Sequence, residues 1–186
     1  MVLGKEPKDF YFRSGSGVTD ALAERLVLAE AGYLEEKGVN PLEHIAATTT
    51  PAGMAAIYAV AMELVRHIPI KERSGMRFLQ GKTVYVDTNN VLGKRMHEMG
   101  LEAAIKIDTT KPKNVESVLR ENRGNIIGIF YEPVTNPLIE YTDTRAIYQI
   151  AKEYGIPIIV DNTFLTPYLQ QQFRMGADVI VNSMTK

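Results

Sequence analysis

The sequence predicts an α/β domain with a mainly parallel sheet covered by helices, and three observations carry that reading. Short apolar runs alternate with helical patterns from "TVYVD" (83–87) to "ADVIVNS" (177–183), the order expected of βαβ units. The runs are near-continuously apolar rather than alternating, which marks strands buried on both faces. No internal repeat, low-complexity linker or second complete domain interrupts the 186 residues.

The elements follow in order. The first ten residues are polar. The stretch "GVTDALAERLVLAEAGYLEEKG" (17–38) then reads as a helix, with Thr19 or Asp20 as its cap and Leu22, Leu26, Ala29 and Tyr33 at helical spacing. Gly38 stops it. "HIAATTT" (44–50) is expected to be a short buried strand. "PAGMAAIYAVAMELVRH" (51–67) is a helix begun by Pro51, apolar on most faces and therefore expected to be buried. "IPIKERSGMRFLQGK" (68–82) reads as a charged surface excursion. Beyond it come strand 83–87, helix 90–100, strand 102–108, helix 112–122, strand 126–131, helix 143–155, strand 156–161 and strand 177–183.

Bulk numbers exclude several functions. Lys+Arg 21 against Asp+Glu 22 leaves a formal net charge of -1, so no overall field draws in nucleic acid or an anionic membrane. With no cysteine there are no disulfides or thiolate metal sites. The start, "MVLGKEPKDF", lacks the apolar core of a signal peptide, and no apolar run is long enough to span a bilayer. The expectation is a cytoplasmic protein without nucleic-acid or membrane partners. His44, His67 and His97 have no metal-ligand spacing. No G-x-G-x-x-G follows any strand, which ranks a nucleotide-binding reading far behind.

In open sheets of this kind, ligands bind outside the carboxyl ends of the strands. Three polar clusters fall there: Glu132 to Asn136, Asp161 to Thr163, and Ser183 to Lys186. Asp161 ends an apolar strand, where an unpaired charge is costly and calls for a cationic partner. Taken alone it reads as a strand-end cap. Ser183 and Thr185 offer donors to an anion, as do the free N–H groups of a helix starting at Gly53 and Met54. Lys186 follows the hydroxyls. A ligand with a phosphate, a protonatable ring nitrogen and an aldehyde would use all of them, and pyridoxal phosphate (PLP) has these groups.

"YFRSGSGVTDALAERLVLAEA", "AGMAAI", "EPVTNPLIEYTD", "VDNTFLTPYLQQ" and "GADVIVNSMTK" resemble the Cys/Met-metabolism family of PLP enzymes, relatives of cystathionine γ-synthase, cystathionine lyases and methionine γ-lyase. The resemblance covers most of the chain. It implies a PLP-dependent transferase (fold type I) large domain, with residues 1–16 an N-terminal arm and 17–186 the PLP-binding domain. It further implies that Lys186 is the Schiff-base residue and general base, and that Asp161 pairs with the pyridine nitrogen. Asn136 would bond the ring oxygen, and Thr163 would lie beside the ring. Gly53, Met54, Ser183 and Thr185 would hold the phosphate. Tyr11 and Arg13 would reach the phosphate of a neighbouring subunit in a homodimer or homotetramer. The implied activity is β- or γ-elimination or replacement on cystathionine, methionine, cysteine or O-acylhomoserine.

Three departures stand out. Ser16-Gly17-Val18 replaces the family's Asn-Pro-Thr. The Leu-Tyr-Gly-Gly-Thr stretch, whose Tyr stacks on the pyridine ring, is read as missing after strand 83–87, with "DTNNVLG" in its place. The chain stops at the lysine, so the rest of the large domain and the C-terminal domain, with the arginine for the substrate carboxylate, are expected to lie outside it. The alternative is a non-catalytic PLP-binding or assembly fragment.

Overall fold

The computed structural model describes residues 16–186. The chain divides into two compact units at Pro51 and Ala52.

In the first unit, helix α1 (Gly17–Ala31) is capped by Ser16, whose side chain accepts the Thr19 N–H while Thr19 returns a bond to the cap backbone. This reciprocal capping box satisfies two otherwise free donors. It places the cap at Ser16, upstream of the expected Thr19 or Asp20. A 3-10 turn over Gly32–Lys37 continues the helix to Gly38, which stops it at φ 73°. Residues 44–50 form no strand and are exposed or half-buried. Their β-branched composition misled, because no neighbouring strand pairs with them.

The second unit is the sheet domain. Helix α2 (Gly53–Arg66) buries one stripe, Ile57, Ala61 and Val65, while Tyr58 is 42% exposed. It is therefore one-sided, not buried all round as its composition implied. Strand β1 (Arg77–Gly81) leads through a π-helical turn (Asn90–Arg95) and the short α3 (Met96–Glu98) to β2 (Ile105–Ile107). Helix α4 (Pro112–Glu121), β3 (Ile126–Tyr131), α5 (Thr144–Tyr154) and β4 (Ile158–Asp161) follow. Two short helices, α6 (Thr166–Leu169) and α7 (Gln172–Met175), precede β5 (Val179–Val181). No helix of the described residues is long and apolar enough to cross a membrane.

The expected strand at 83–87 and surface loop at 68–82 are both corrected. The strand is "RFLQG", six residues earlier, with Phe78 to Gly81 buried. Flanking charges disguised it, whereas "TVYVD" has strand composition but lies in the loop beyond.

All five strands run parallel, in the order β2-β1-β3-β4-β5. Successive side chains alternate between faces. Phe78, Phe130, Ile159 and Val181 pack with Ile57, Ala61 and Val65 of α2 and with Leu92 and Met96. Leu79, Ile129, Tyr131, Ile158 and Val160 pack with Val115 and Leu119 of α4 and Ile147 and Ala151 of α5. The apolar runs are thus buried on both faces, as their composition predicts. Connections leave β1 and β3 in opposite directions, which opens a crevice between their carboxyl ends.

Candidate functional site

The site is built from segments that the sheet brings to one edge. At the end of β4, Asp161 is 7% exposed. Its Oδ1 accepts the Thr163 N–H at 3.0 Å, and the Thr163 hydroxyl also bonds the carboxylate. Burial pushes the Asp161 carboxyl above its ordinary value, although both bonds from Thr163 pull it back. A carboxylate in this position gains most from a cation placed against it. Thr163 serves a second partner, since its Oγ1 accepts the Ser183 N–H at 2.7 Å. One side chain therefore couples the loop after β4 to the loop after β5. Asn162, fully buried, donates its N–H to Val181 O at 2.8 Å and its side-chain amide to Gln170 O at 3.0 Å, which fixes the 161–163 turn from below.

Ser183 meets the start of α2. A Cβ built on Gly53 would lie 2.8 Å from the Ser183 Cβ and 3.2 Å from its Oγ. No side chain caps α2, so its first N–H groups remain available to an anion. Met54, next in the helix, is half-buried against the α2 face of the core. Ser183 Oγ lies 3.0 Å from Thr185 Oγ1. An uncapped helix start, a glycine with no room for a side chain and two hydroxyls make a cradle of phosphate chemistry. Lys186 follows, exposed. Tyr11 and Arg13 lie outside the described residues.

The loop after β3 supplies Asn136, whose side chain is exposed and whose peptide bond to Pro137 is cis. The Asn136 N–H lies near enough to Glu132, the first residue beyond β3, to pull its carboxyl down. Glu132 is 7% exposed, and its Oε1 accepts the N–H of Tyr85. Burial, with the nearby Asp161 charge, pushes its carboxyl up to about 7 against the downward pull of these N–H groups.

Tyr85 was missed in the sequence because the strand was placed over it. With β1 ending at Gly81, the segment after the strand is Val84-Tyr85-Val86-Asp87-Thr88. The Tyr and Thr of the family's Leu-Tyr-Gly-Gly-Thr stand at the right spacing, with Val86 and Asp87 for the two glycines. The signal that would have found Tyr85 is the Y-x-x-T spacing, which "DTNNVLG" obscured.

The model of the family "Cys/Met metabolism PLP-dependent enzyme" matches residues 5–186. The chain belongs to that family. It is 35% identical to cystathionine gamma-lyase of Bacillus subtilis over 90% of this chain and 37% of that protein. It is 30% identical to L-methionine gamma-lyase of Porphyromonas gingivalis, over 98% of this chain and 40% of the relative. Among solved structures, the cystathionine gamma-lyase CalE6 of Micromonospora echinospora superposes with a TM-score of 0.77 at 27% identity, covering 99% of this chain and 42% of that one. The metY protein of Campylobacter jejuni gives 0.73 at 30% identity, over 90% and 35%. Its structure contains N'-pyridoxyl-lysine-5'-monophosphate. The chain spans about two fifths of the length of the curated relatives named here. The fold is that of the PLP-dependent fold type I enzymes, and PLP is the cofactor of the family.

Proposed function

We propose that this chain forms the cofactor-binding part of a PLP-dependent lyase or transferase of sulfur amino acid metabolism, acting by β- or γ-elimination or replacement. Substrates of this class are cystathionine, methionine, cysteine or an O-acylhomoserine. The observation that carries the reading is the joining of Asp161, Thr163, Ser183 and Gly53 by direct contacts at the carboxyl edge of a parallel sheet, in a chain of this family.

PLP supplies, when bound, an aldehyde that condenses with amines and a protonated ring that draws electrons from the substrate Cα. The protein's own groups set the conditions. Asp161 holds a proton on the ring nitrogen, and its buried carboxylate is stabilised by that charge. Thr163 orients Asp161 and lies beside the ring. Gly53, Met54, Ser183 and Thr185 bind the phosphate. Asn136 would bond the ring oxygen, and Tyr85 would lie against the ring. Lys186 would hold the aldehyde end of the cofactor and would take and return the proton at the substrate Cα. The family resemblance assigns Tyr11 and Arg13, which lie outside the described residues, to the phosphate of a neighbouring subunit, and the proposed working unit is a homodimer or homotetramer.

The test is borohydride reduction of the PLP-loaded protein, then intact mass and peptide mapping. The expected result is one reduced pyridoxyl phosphate group on Lys186 and none in Lys186→Ala. An adduct of equal stoichiometry in Lys186→Ala would overturn the role of Lys186. Cystathionine, methionine, cysteine and O-acylhomoserine are then assayed as substrates.

A further inference from the structure

Glu132 sits where the chain leaves β3, beside the crevice at which the loops after β1 and β3 part. It is buried, yet it forms no ion pair with a cation among the described residues. Its carboxylate instead accepts the backbone N–H of Tyr85 in the loop after β1, and the Asn136 N–H in the loop after β3 faces it closely enough to pull its carboxyl down. Asp161, at the end of the adjacent strand β4, lies close enough to feel its charge. A buried carboxylate without a cation is costly. Tyr131 and Phe130, its neighbours in the strand, are buried apolar core, so an apolar side chain at 132 would suit the strand end better. The carboxylate's work is therefore in the two loops.

From these contacts we infer that Glu132 is a positioning residue that latches the Tyr85 loop to the end of β3, thereby setting the Tyr85 ring over the place of the cofactor. The inference rests on the reading of Tyr85 given above. The loop has a second tether on its far side, where Gln80 Nε2 donates to Asn89 Oδ1 at 2.9 Å. Between the tethers Tyr85 is half exposed and Val86 is 67% exposed, so few packing contacts hold them in place. Glu132 is the side chain that binds the Tyr85 N–H, while Thr83 Oγ1 donates to Glu140 Oε2 at 3.1 Å and the Tyr85 carbonyl accepts the Thr88 N–H at 3.0 Å. Glu132 also stands between Tyr85 and Asn136, the two groups proposed for the cofactor's ring face and ring oxygen.

The first measurement is amide exchange in the cofactor-free protein. In the unmodified chain the Tyr85 amide should exchange at least about tenfold more slowly than that of Val86, the effect of one charge-assisted hydrogen bond. Glu132→Ala should remove that protection and leave the β3 and β4 amides unchanged. Glu132→Gln, which keeps an oxygen acceptor, should retain much of it. A Tyr85 amide as fast as that of Val86 in the unmodified protein overturns the latch, even if Glu132→Ala fails to fold. The second measurement is PLP affinity by absorbance titration of Glu132→Ala, Tyr85→Ala and the double variant. Each single change should weaken binding about tenfold, and the double variant should be no weaker than either, because both act through one ring. Additive losses overturn the positioning role. If Tyr85→Ala binds PLP normally, the reading of Tyr85 fails, and the exchange result still decides whether Glu132 holds the loop.

Discussion

Gly53 opens helix α2 against Ser183 so closely that a Cβ on the glycine would stand 2.8 Å from the Ser183 Cβ. The obstacle is not the far end of a flexible side chain but a Cβ with its backbone behind it. The contact places the free N–H groups of α2 beside the Ser183 and Thr185 hydroxyls, and a side chain at 53 would force the two apart. Gly53→Ala is therefore expected to weaken PLP binding by about tenfold or more, since loosened geometry is costly at a charge-binding site. Pyridoxal, which lacks the phosphate, should bind both proteins alike. Parallel absorbance titrations with the two ligands check this, and equal losses for both would show that the damage is not at the phosphate.

Asp161 trades stability for binding. Burial raises its carboxyl above the ordinary 3.8, so its share of the folded state's stability is complete below that value and is lost as pH rises through the folded-state value. At pH 8 the cofactor-free Asp161→Asn protein should melt higher than the parent, and the difference should close as pH falls toward 3.8. The same variant should hold PLP about tenfold or more less tightly, because the cationic ring loses its charged partner. Circular dichroism melts across pH and a PLP titration test the two halves separately.

How much of this was legible in the sequence follows from the physics of each segment. "IIGIFY" reads as β3 with the right ends because its six residues are uniformly apolar and the strand is covered on both faces. The Asp143 cap and the Gly155 stop frame α5 as their chemistry demands. β1 was not legible, because its core residues Phe78 and Leu79 are flanked by charges while the β-branched "TVYVD" beyond it serves a loop. That error hid Tyr85. Asp161, Ser183 and Gly53 could each be picked as candidate site residues, but not their contacts. The Thr163 hydroxyl linking two loops, and the Gly53 approach, depend on residues up to 130 positions apart that only the parallel sheet brings together. Glu132 was visible as a strand-end acid, and its task was not, since the Tyr85 and Asn136 N–H groups that it faces carry no side-chain signature.

Glu132 should dominate one part of the pH profile. Its carboxyl stands at about 7 in place of 4.5, chiefly through burial. The stability tied to its protonated form is complete below about 4.5 and is lost as pH rises through about 7. The cofactor-free protein is expected to lose up to about 3 kcal/mol from this group between pH 5 and 8. Glu132→Gln, which cannot ionise, should flatten that part of the curve. Urea unfolding at several pH values measures it, and an unchanged slope in the variant would assign the titration to another group.

Gly176 tests the fold away from the site. It ends α7 at φ +104°, and a Cβ there would fall 2.4 Å from Tyr148 Cγ and within 2.8 Å of both Cδ atoms. Two separate costs would follow from Gly176→Ala. One is the backbone, since an L side chain is strained at that angle by about 1–2 kcal/mol. The other is the ring of Tyr148 on α5, which must move out of a packed position at a further cost of about 1–3 kcal/mol. Tyr148→Ala relieves only the second. The Gly176→Ala variant should therefore lose about 2–5 kcal/mol in urea unfolding. In a Tyr148→Ala background the same glycine change should cost only the backbone part. The double-mutant cycle separates the two. If Gly176→Ala costs the same in both backgrounds, the ring is not the obstacle and the backbone angle alone explains why glycine stands before β5.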